Sequence, residues 1–169
     1  ADIYKGSSSG EYVSDVNWTE AANKSTETYI KYFFENAGGR NTFAGEIYWE
    51  KPNTPETGEP VSTGGSGGWS QGHALDIVTD AYVRHADNSE YQTYLYENIM
   101  KPFLPAFDEW NRTCGYGGND FWNNFYDDME WMALACLRVY ELTGDQDYYS
   151  ALMKMWDHIK GAKNDYKGV

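Results

Sequence analysis

The sequence predicts an all-α protein with one domain, and three observations support this. Apolar residues recur at helical spacing along most of the chain. The turns between the predicted helices are short, which favours antiparallel neighbours. A β-leaning stretch is confined to "GEIYWE" at 45–50. The 169 residues are of single-domain length and are enough to bury a core.

The first predicted helix covers 17–36 and is followed by a long loop. Asn17 is a suitable N-cap, and Glu20 stands three residues later, as in a capping box. The segment 51–68 has no hydrophobic period and is rich in Pro and Gly. A loop of this length in a compact domain is usually functional or disordered. We therefore expect it to be a candidate rim for a cleft.

The second and third predicted helices cover 69–87 and 90 to about 100. Pro102 and Pro105 are then expected to bend or break the chain, because proline lacks an N–H and clashes inside a helix. The apolar stripe of 69–87 consists of Ala74, Ile77, Val78, Ala81 and Tyr82.

Two further helices are predicted towards the end of the chain. The first covers 126–142 and ends at Thr143-Gly144, and Asp145 is placed to cap the next one. Asp145 and Asp147 resemble a short calcium pattern but lack the loop and distal Glu of such a site, so we interpret them as capping residues. The buried stripes are expected at Met129, Met132, Ala133, Cys136, Leu137 and Tyr140, and at Tyr149, Leu152, Met155, Trp156 and Ile159.

Composition excludes some functions and favours others. A net charge of -13 argues against binding nucleic acid through its phosphates. No run of about 18 apolar residues is present, so no transmembrane segment is predicted. The 7 Trp and 15 Tyr suit a surface that stacks on flat apolar faces, such as those of sugar rings or Pro-rich peptides. The opening residues show no signal peptide, which is either absent or already removed.

The strongest chemical feature is the pair Asp127 and Asp128, directly before an apolar helical pattern. Glycoside hydrolysis uses two carboxyl groups, one as nucleophile and one as acid. A helix N-terminus favours an ionised carboxylate, and repulsion within the pair keeps one group protonated. The alternative is ordinary capping, since Asp is common in the first turn of helices. The pair by itself leaves both interpretations open.

Aromatic and amide side chains surround this pair in the sequence and favour the first interpretation. Trp122, Tyr126 and Trp131 are candidates for a sugar platform, and Asn123 for donating hydrogen bonds to sugar hydroxyls. The alternative is that these rings pack the core.

Two segments carry a resemblance to a known family. "YDDMEWMALACLRVYELTGDQDYY" (126–149) and "WSQGHALDIVTDAY" (69–82) resemble the motifs of glycoside hydrolase family 76, the endo-acting α-1,6-mannanases and their relatives. Gly72 stands where the family usually has Ala. The resemblance runs from about residue 17 to the end of the chain.

The resemblance implies an (α/α)6 barrel that hydrolyses α-1,6-mannosidic bonds with retention, without a metal or cofactor. Asp127 falls on the family's nucleophile and Asp128 on its acid/base. Trp69, Gln71 and Asp76 are further candidates for the substrate cleft, although Asp76 is equally suited to pairing with a base. The expected ligand is an α-mannan polysaccharide or oligosaccharide. A secreted protein is implied, in an extracellular, cell-surface or periplasmic location.

The number of predicted helices bears on domain organisation. Such a barrel has about twelve helices, whereas 169 residues hold about five or six of typical length. We therefore expect 1–169 to be the N-terminal half of a single catalytic domain, truncated at its C-terminal end. The missing half is then a required partner, without which the chain is not expected to be a stable monomer or to hydrolyse mannan.

Three other functions remain open from the sequence. One is a non-catalytic protein that binds mannan or another glycan on the same scaffold. Another is a transglycosidase, which shares the covalent intermediate. The third is a helical interaction domain in which the two aspartates only cap a helix.

Overall fold

The structure of the chain, a computed structural model, describes residues 5–6, 12–13, 16–35, 40–45, 47–48, 61–62 and 67–161. Within these residues the all-α prediction is confirmed, with six α-helices. They are α1 (Trp18–Tyr29), α2 (Gly68–Arg84), α3 (Ser89–Leu95), α4 (Lys101–Thr113), α5 (Tyr126–Thr143) and α6 (Gln146–Gly161).

Two π-helical stretches and two small antiparallel pairs complete the described part. The π-helical stretches are Ile30–Glu35, directly after α1, and Tyr96–Met100, between α3 and α4. The pairs are β1 (Lys5–Gly6) with β2 (Tyr12–Val13), and β3 (Ile47–Tyr48) with β4 (Val61–Ser62).

The helix ends follow the capping residues in the sequence. The side chain of Asn17 accepts a hydrogen bond from the backbone N–H of Glu20 at 3.2 Å, as predicted for the start of α1. Gly144 ends α5 in the left-handed conformation, with φ of 74°. Asp145 then accepts from the N–H of Asp147 at 2.9 Å, which confirms it as a cap of α6.

Helix α5 lies at the centre of the described fold and packs against α2 on one side and α6 on the other. The segment from α3 to α4 contributes apolar side chains to the same core. Four of the six residues predicted as the buried stripe of α5 are buried. They are Met129, Met132, Ala133 and Cys136.

Pro102 and Pro105 were predicted to bend or break the chain, and the break is wrong, because α3, the π-helical stretch and α4 form one continuous helical segment. Pro102 is the second residue of α4, directly after the π-helical stretch, and Pro105 lies inside the helix. The π-helical stretch Tyr96–Met100 precedes both prolines, and the N–H of Lys101 donates to the carbonyl of Tyr96, five residues back. This wider turn accommodates the chain where a regular α-turn would meet the proline ring.

Other predictions were partly wrong. In α6, Tyr149 and Trp156 were predicted to be buried but are exposed. Tyr148 and Ala151 are buried instead. The buried face of α6 is therefore rotated by about one residue relative to the predicted stripe. In α2, Ile77 is partly exposed and Leu75 is buried in its place. Within the predicted loop 51–68, β4 pairs with β3, and α2 already begins at Gly68. The remainder of that loop, apart from Gly67, lies outside the described residues.

Candidate active site

The paired aspartates lie in the first turn of α5. Phe125, the residue before this helix, has an extended backbone and no side-chain cap. Asp127 is exposed and Asp128 is half-buried. The two carboxyl groups therefore have different surroundings, although they are adjacent in sequence.

Asp128 faces the beginning of α2 rather than the end of its own helix. The backbone N–H groups of Trp69 and Gly68 donate to its carboxylate. Burial is the largest influence on this group and raises the pKa of Asp128, and the nearby Asp127 raises it further. The two N–H donors lower the pKa, but the net direction is upward. A raised pKa favours the protonated form, which is the form that a general acid needs.

Both aspartates line a cavity of about 630 Å³ between the start of α2, the end of α4 and the loop before α5. Its wall includes the aromatic side chains of Trp69, Trp110, Tyr116 and Phe125 beside the two carboxyl groups. Half of the Phe125 side-chain surface (50%) is exposed, and the ring of Tyr116 lies 5.8 Å from it between centroids. Exposed rings beside carboxyl groups suit a sugar, which offers apolar faces and hydroxyl edges.

A pair of buried asparagines holds the loop that forms this wall. Asn123 Nδ2 donates to Asn111 Oδ1 at 3.0 Å, and Asn123 Oδ1 accepts from the N–H of Phe125 at 2.9 Å. Asn111 Nδ2 also donates to the carbonyl of Trp122 at 2.8 Å. At Gly117 a Cβ would lie 2.2 Å from the carbonyl oxygen of Asn111, so only glycine fits there. The wall is therefore fixed in place before any ligand binds.

The structure brings some of the predicted binding residues to this cavity. Trp69 and Asn123 line it together with Asp127 and Asp128. The Asn123 side chain is nearly fully buried and engaged with Asn111, so its main contact is to the loop. Trp122 and Tyr126 are partly exposed but are not among the residues that line the cavity.

Trp131 extends the aromatic surface along α2 and α5. Its ring centroid lies 4.7 Å from that of His73, which in turn lies 5.7 Å from Trp69. The three rings form a chain of aromatic contacts that begins at Trp69 in the cavity wall and ends at the exposed Trp131. His73 thus packs between two tryptophans.

Gln71 and Asp76 have other contacts in the structure. Gln71 is fully buried; its Nε2 donates to the carbonyl of Phe43 at 2.8 Å and its Oε1 accepts from the Phe43 N–H at 3.0 Å. Asp76 accepts a hydrogen bond from Arg138 at 2.6 Å, so it pairs with a basic side chain, the alternative role predicted for it. Gln71 lies on the opposite face of α2 from Trp69, whereas Asp76 lies on nearly the same face as Trp69 but about two turns further along the helix, away from the cavity.

Several cavity residues have no recognisable signal in the sequence. Trp110, Tyr116 and Phe125 come from separate segments that only the fold brings together. Cys114, half-buried, also lines the cavity, with its Sγ 3.1 Å from the carbonyl oxygen of Asn111. The exposed Gly-rich turn around these residues was a signal for a loop, but nothing in the sequence indicated that it faces Asp127.

Two further properties concern metals and membranes. Among the described residues, no group of three or more His, Cys, Asp or Glu side chains is arranged to hold a metal ion. In the same part of the chain, no helix combines the length and apolar character needed to cross a bilayer.

Comparison with known proteins gives a class for this fold and site. No protein-family profile and no curated protein matches the chain. Solved structures do match, and they are glycoside hydrolases with an all-α fold. This confirms the resemblance to glycoside hydrolase family 76.

The matching structures are of the α-1,6-mannanase GH76A from Salegentibacter sp. HEL1_6. One has 29% identity and a TM-score of 0.64, and covers 90% of this chain and 37% of its own. The other is an inactive variant, in which two adjacent aspartates are replaced by alanine, in complex with α-1,6-mannotetrose. It has 27% identity, with the same TM-score of 0.64 and the same coverage, 90% and 37%. The chain thus spans a little over a third of these enzymes' length.

Proposed function

We propose that this chain forms part of a glycoside hydrolase that cleaves α-1,6-mannosidic bonds with retention. The observation that supports this most directly is the position of the only pair of adjacent aspartates in the sequence. Asp127 and Asp128 share an aromatic cavity, and the similar mannanase is inactive when two adjacent aspartates are replaced. The proposal includes both the substrate class and the roles below.

The different surroundings of the two carboxyl groups support an assignment of roles. Asp127 is exposed to the cavity and is the proposed nucleophile, whose carboxylate attacks the anomeric carbon. Asp128, with its raised pKa, donates its proton to the glycosidic oxygen as the C–O bond breaks. Water then attacks the glycosyl-enzyme ester, gives its proton to Asp128, and releases Asp127 and the sugar. The two carboxyl groups and one water molecule account for every proton transferred and every bond made or broken in these two reaction steps.

Domain completeness and location are part of the same proposal. Because the chain spans 37% of the similar enzyme, we propose that further helices of the same domain cover the rest of the substrate. A protein that acts on mannan is expected outside the cytoplasm, in an extracellular, cell-surface or periplasmic location.

The test is incubation with α-1,6-mannan and with α-1,6-mannotetrose, using the chain and, in parallel, the longer protein that we propose contains it. Products are separated by chromatography, and NMR of the first product gives its anomeric configuration. Asp127→Asn is the inactive comparison, and Asp147→Asn, an exposed aspartate in the first turn of α6, is the matched control.

The outcomes separate the competing functions. Shorter products with an α-anomer at first release support retaining hydrolysis. Products longer than the substrate indicate transglycosylation, and binding without cleavage indicates a glycan-binding protein. If the longer protein neither binds nor cleaves mannan, the proposal is wrong.

A further inference from the structure

Gly68, the first residue of α2, is packed directly against Asp128 of α5. A Cβ placed on Gly68 would lie 2.9 Å from Oδ2 of Asp128, and 3.4 Å from its Cβ and Cγ. Gly68 is buried at this contact. The carboxylate therefore occupies the space that any side chain at position 68 would take.

The same carboxylate satisfies the open end of α2. The first N–H groups of a helix have no partner within the helix. Gly67, which precedes α2, provides no side-chain cap, whereas the N–H groups of Gly68 and Trp69 donate to Asp128. Asp128 thus caps α2 from across the interface between two helices. Capping and a place in the cavity wall are combined in one residue.

We propose that Gly68 is a positioning residue for Asp128: its missing side chain lets the carboxylate reach the first two N–H groups of α2, which fix the direction in which the acid delivers its proton. This inference rests on the proposed function for the catalytic role of Asp128. It goes further in assigning a role to a residue that does not contact the substrate.

Gly72, one turn further along α2, provides a matched comparison. A Cβ there would lie 3.1 Å from the carbonyl carbon of Trp131 and 3.2 Å from the N of Met132, which are backbone atoms of α5. Backbone cannot move aside as a short side chain can. Alanine at 72, the residue that the resembled family usually has there, therefore requires the α5 backbone to shift by a few tenths of an ångström, whereas alanine at 68 displaces one carboxylate and leaves the helices in place.

The two substitutions should consequently differ in their effect on kcat, measured in the longer protein. Gly68→Ala should lower kcat on mannan by about 10- to 100-fold, because a misplacement of about 1 Å costs on this order. Its melting temperature should change little, because the lost capping contacts oppose the better helix propensity of Ala. Gly72→Ala should leave kcat within about twofold, since it does not touch the acid.

Proton titration gives a measurement that a purely structural role would not change. The ionisable groups around Asp128 are Asp127 on its own helix, His73 on α2, and Cys114 and Tyr116 in the cavity wall. Losing two N–H donors removes a contribution that stabilises the carboxylate, so the pKa of Asp128 should rise in Gly68→Ala. The basic limb of the pH–rate profile should then move to higher pH.

The experiment combines these activity measurements with NMR that does not depend on turnover. In the wild type, the amide protons of Gly68 and Trp69 should shift with the ionisation of Asp128, and this response should disappear in Asp128→Ala. Unshifted amides in the wild type would overturn the positioning role, whether or not the protein is active. Shifting amides in a protein that does not cleave mannan would overturn only the proposed function. Wild-type kcat and an unchanged pH profile in Gly68→Ala would also overturn the positioning role.

Discussion

Arg138 of α5 reaches Asp76 of α2, with Nη1 2.6 Å from Oδ1, and its Nη2 lies 2.5 Å from Oδ1 of Asp80. One guanidinium thus joins two carboxylates that are one turn apart on the neighbouring helix. The site is partly exposed, so solvent screens the interaction. This ion pair connects α2 and α5, the two helices that carry Gly68 and Asp128.

Replacing Arg138 should weaken this connection. We expect Arg138→Met to lower the free energy of unfolding by about 0.5–1 kcal/mol, the range of exposed ion pairs, with the loss shrinking at high salt. Chemical denaturation at low and high ionic strength measures it. Lys101→Met is the control, because the Lys101–Glu97 pair lies within one helical segment and joins no two helices. Equal losses in both variants, or a loss independent of salt, would show that Arg138 does not act through this bridge.

Gln71 should matter for stability rather than for substrate binding. Gln71→Leu leaves both backbone polar groups of the buried Phe43 without this partner, and each such group costs about 1–3 kcal/mol. We therefore expect a loss of about 2–6 kcal/mol in a denaturation experiment. Gln92→Leu removes a single, partly buried bond to the carbonyl of Tyr82 and should cost less. A folded Gln71→Leu protein with wild-type stability and weaker mannan binding would reverse this interpretation.

In the longer protein, Asp127→Asn should abolish turnover and leave the fold intact. An amide cannot form the ester with the anomeric carbon, and Asp127 is exposed, so its replacement leaves the core unchanged. Mannan hydrolysis together with circular dichroism measures both parts. Near wild-type cleavage by a folded Asp127→Asn protein would show that the nucleophile is another residue.

Asp128→Ala should be less damaging for substrates that need no protonation. An activated aryl mannoside has a good leaving group, so its first step does not require the acid. We expect kcat/KM to fall less on the aryl mannoside than on mannan, and small anions such as azide to restore part of the loss. Equal losses on both substrates would contradict the role of general acid.

The raised pKa of Asp128 also has a consequence for stability. A folded-state pKa above the unfolded value means that the native protein holds this proton more tightly, so stability falls as the pH rises through the window between the two values. The window begins at the ordinary Asp value of about 3.9 and extends up to the higher pKa of Asp128. Asp128→Asn should therefore gain stability relative to the wild type across this window, as thermal unfolding at several pH values would show. Asp147→Asn should not reproduce this gain. If Asp128→Asn also shows no gain in stability, ionisation of Asp128 does not destabilise the folded protein.

Sequence patterns predicted the parts of the fold that depend on local chemistry. Asn17 begins α1 through a side-chain hydrogen bond within the first turn. Gly144 ends α5 because a residue without a side chain adopts the left-handed conformation easily. Both effects act within one turn and can be predicted from the local sequence. The buried stripe of α5 was recovered in large part because α5 has neighbours on both sides. Tyr149 and Trp156 were misplaced because their surroundings depend on how α6 is turned against α5, which no local pattern fixes.

The candidate site shows the same division. Asp127 and Asp128 were recognisable from adjacent letters and a resembling motif. The contact of Asp128 with Gly68 joins residues 60 positions apart, and it depends on the approach of two helices. The capping contacts of Asp128 are to the start of α2 and not to its own helix, so capping does not contradict the proposed catalytic role. Only the tertiary structure distinguishes these arrangements.

The π-helical stretch Tyr96–Met100 bears on how this chain should be aligned with other sequences. A π-turn is a regular turn that contains one additional residue, so it is the trace of a single-residue insertion. Homologues with a regular α-helix here should be one residue shorter between Leu95 and Lys101. An alignment that places this gap elsewhere misaligns by one the residues between the two gap positions. A gap placed after Asp128 would therefore misalign both aspartates, whereas a gap inside the helix keeps them in register.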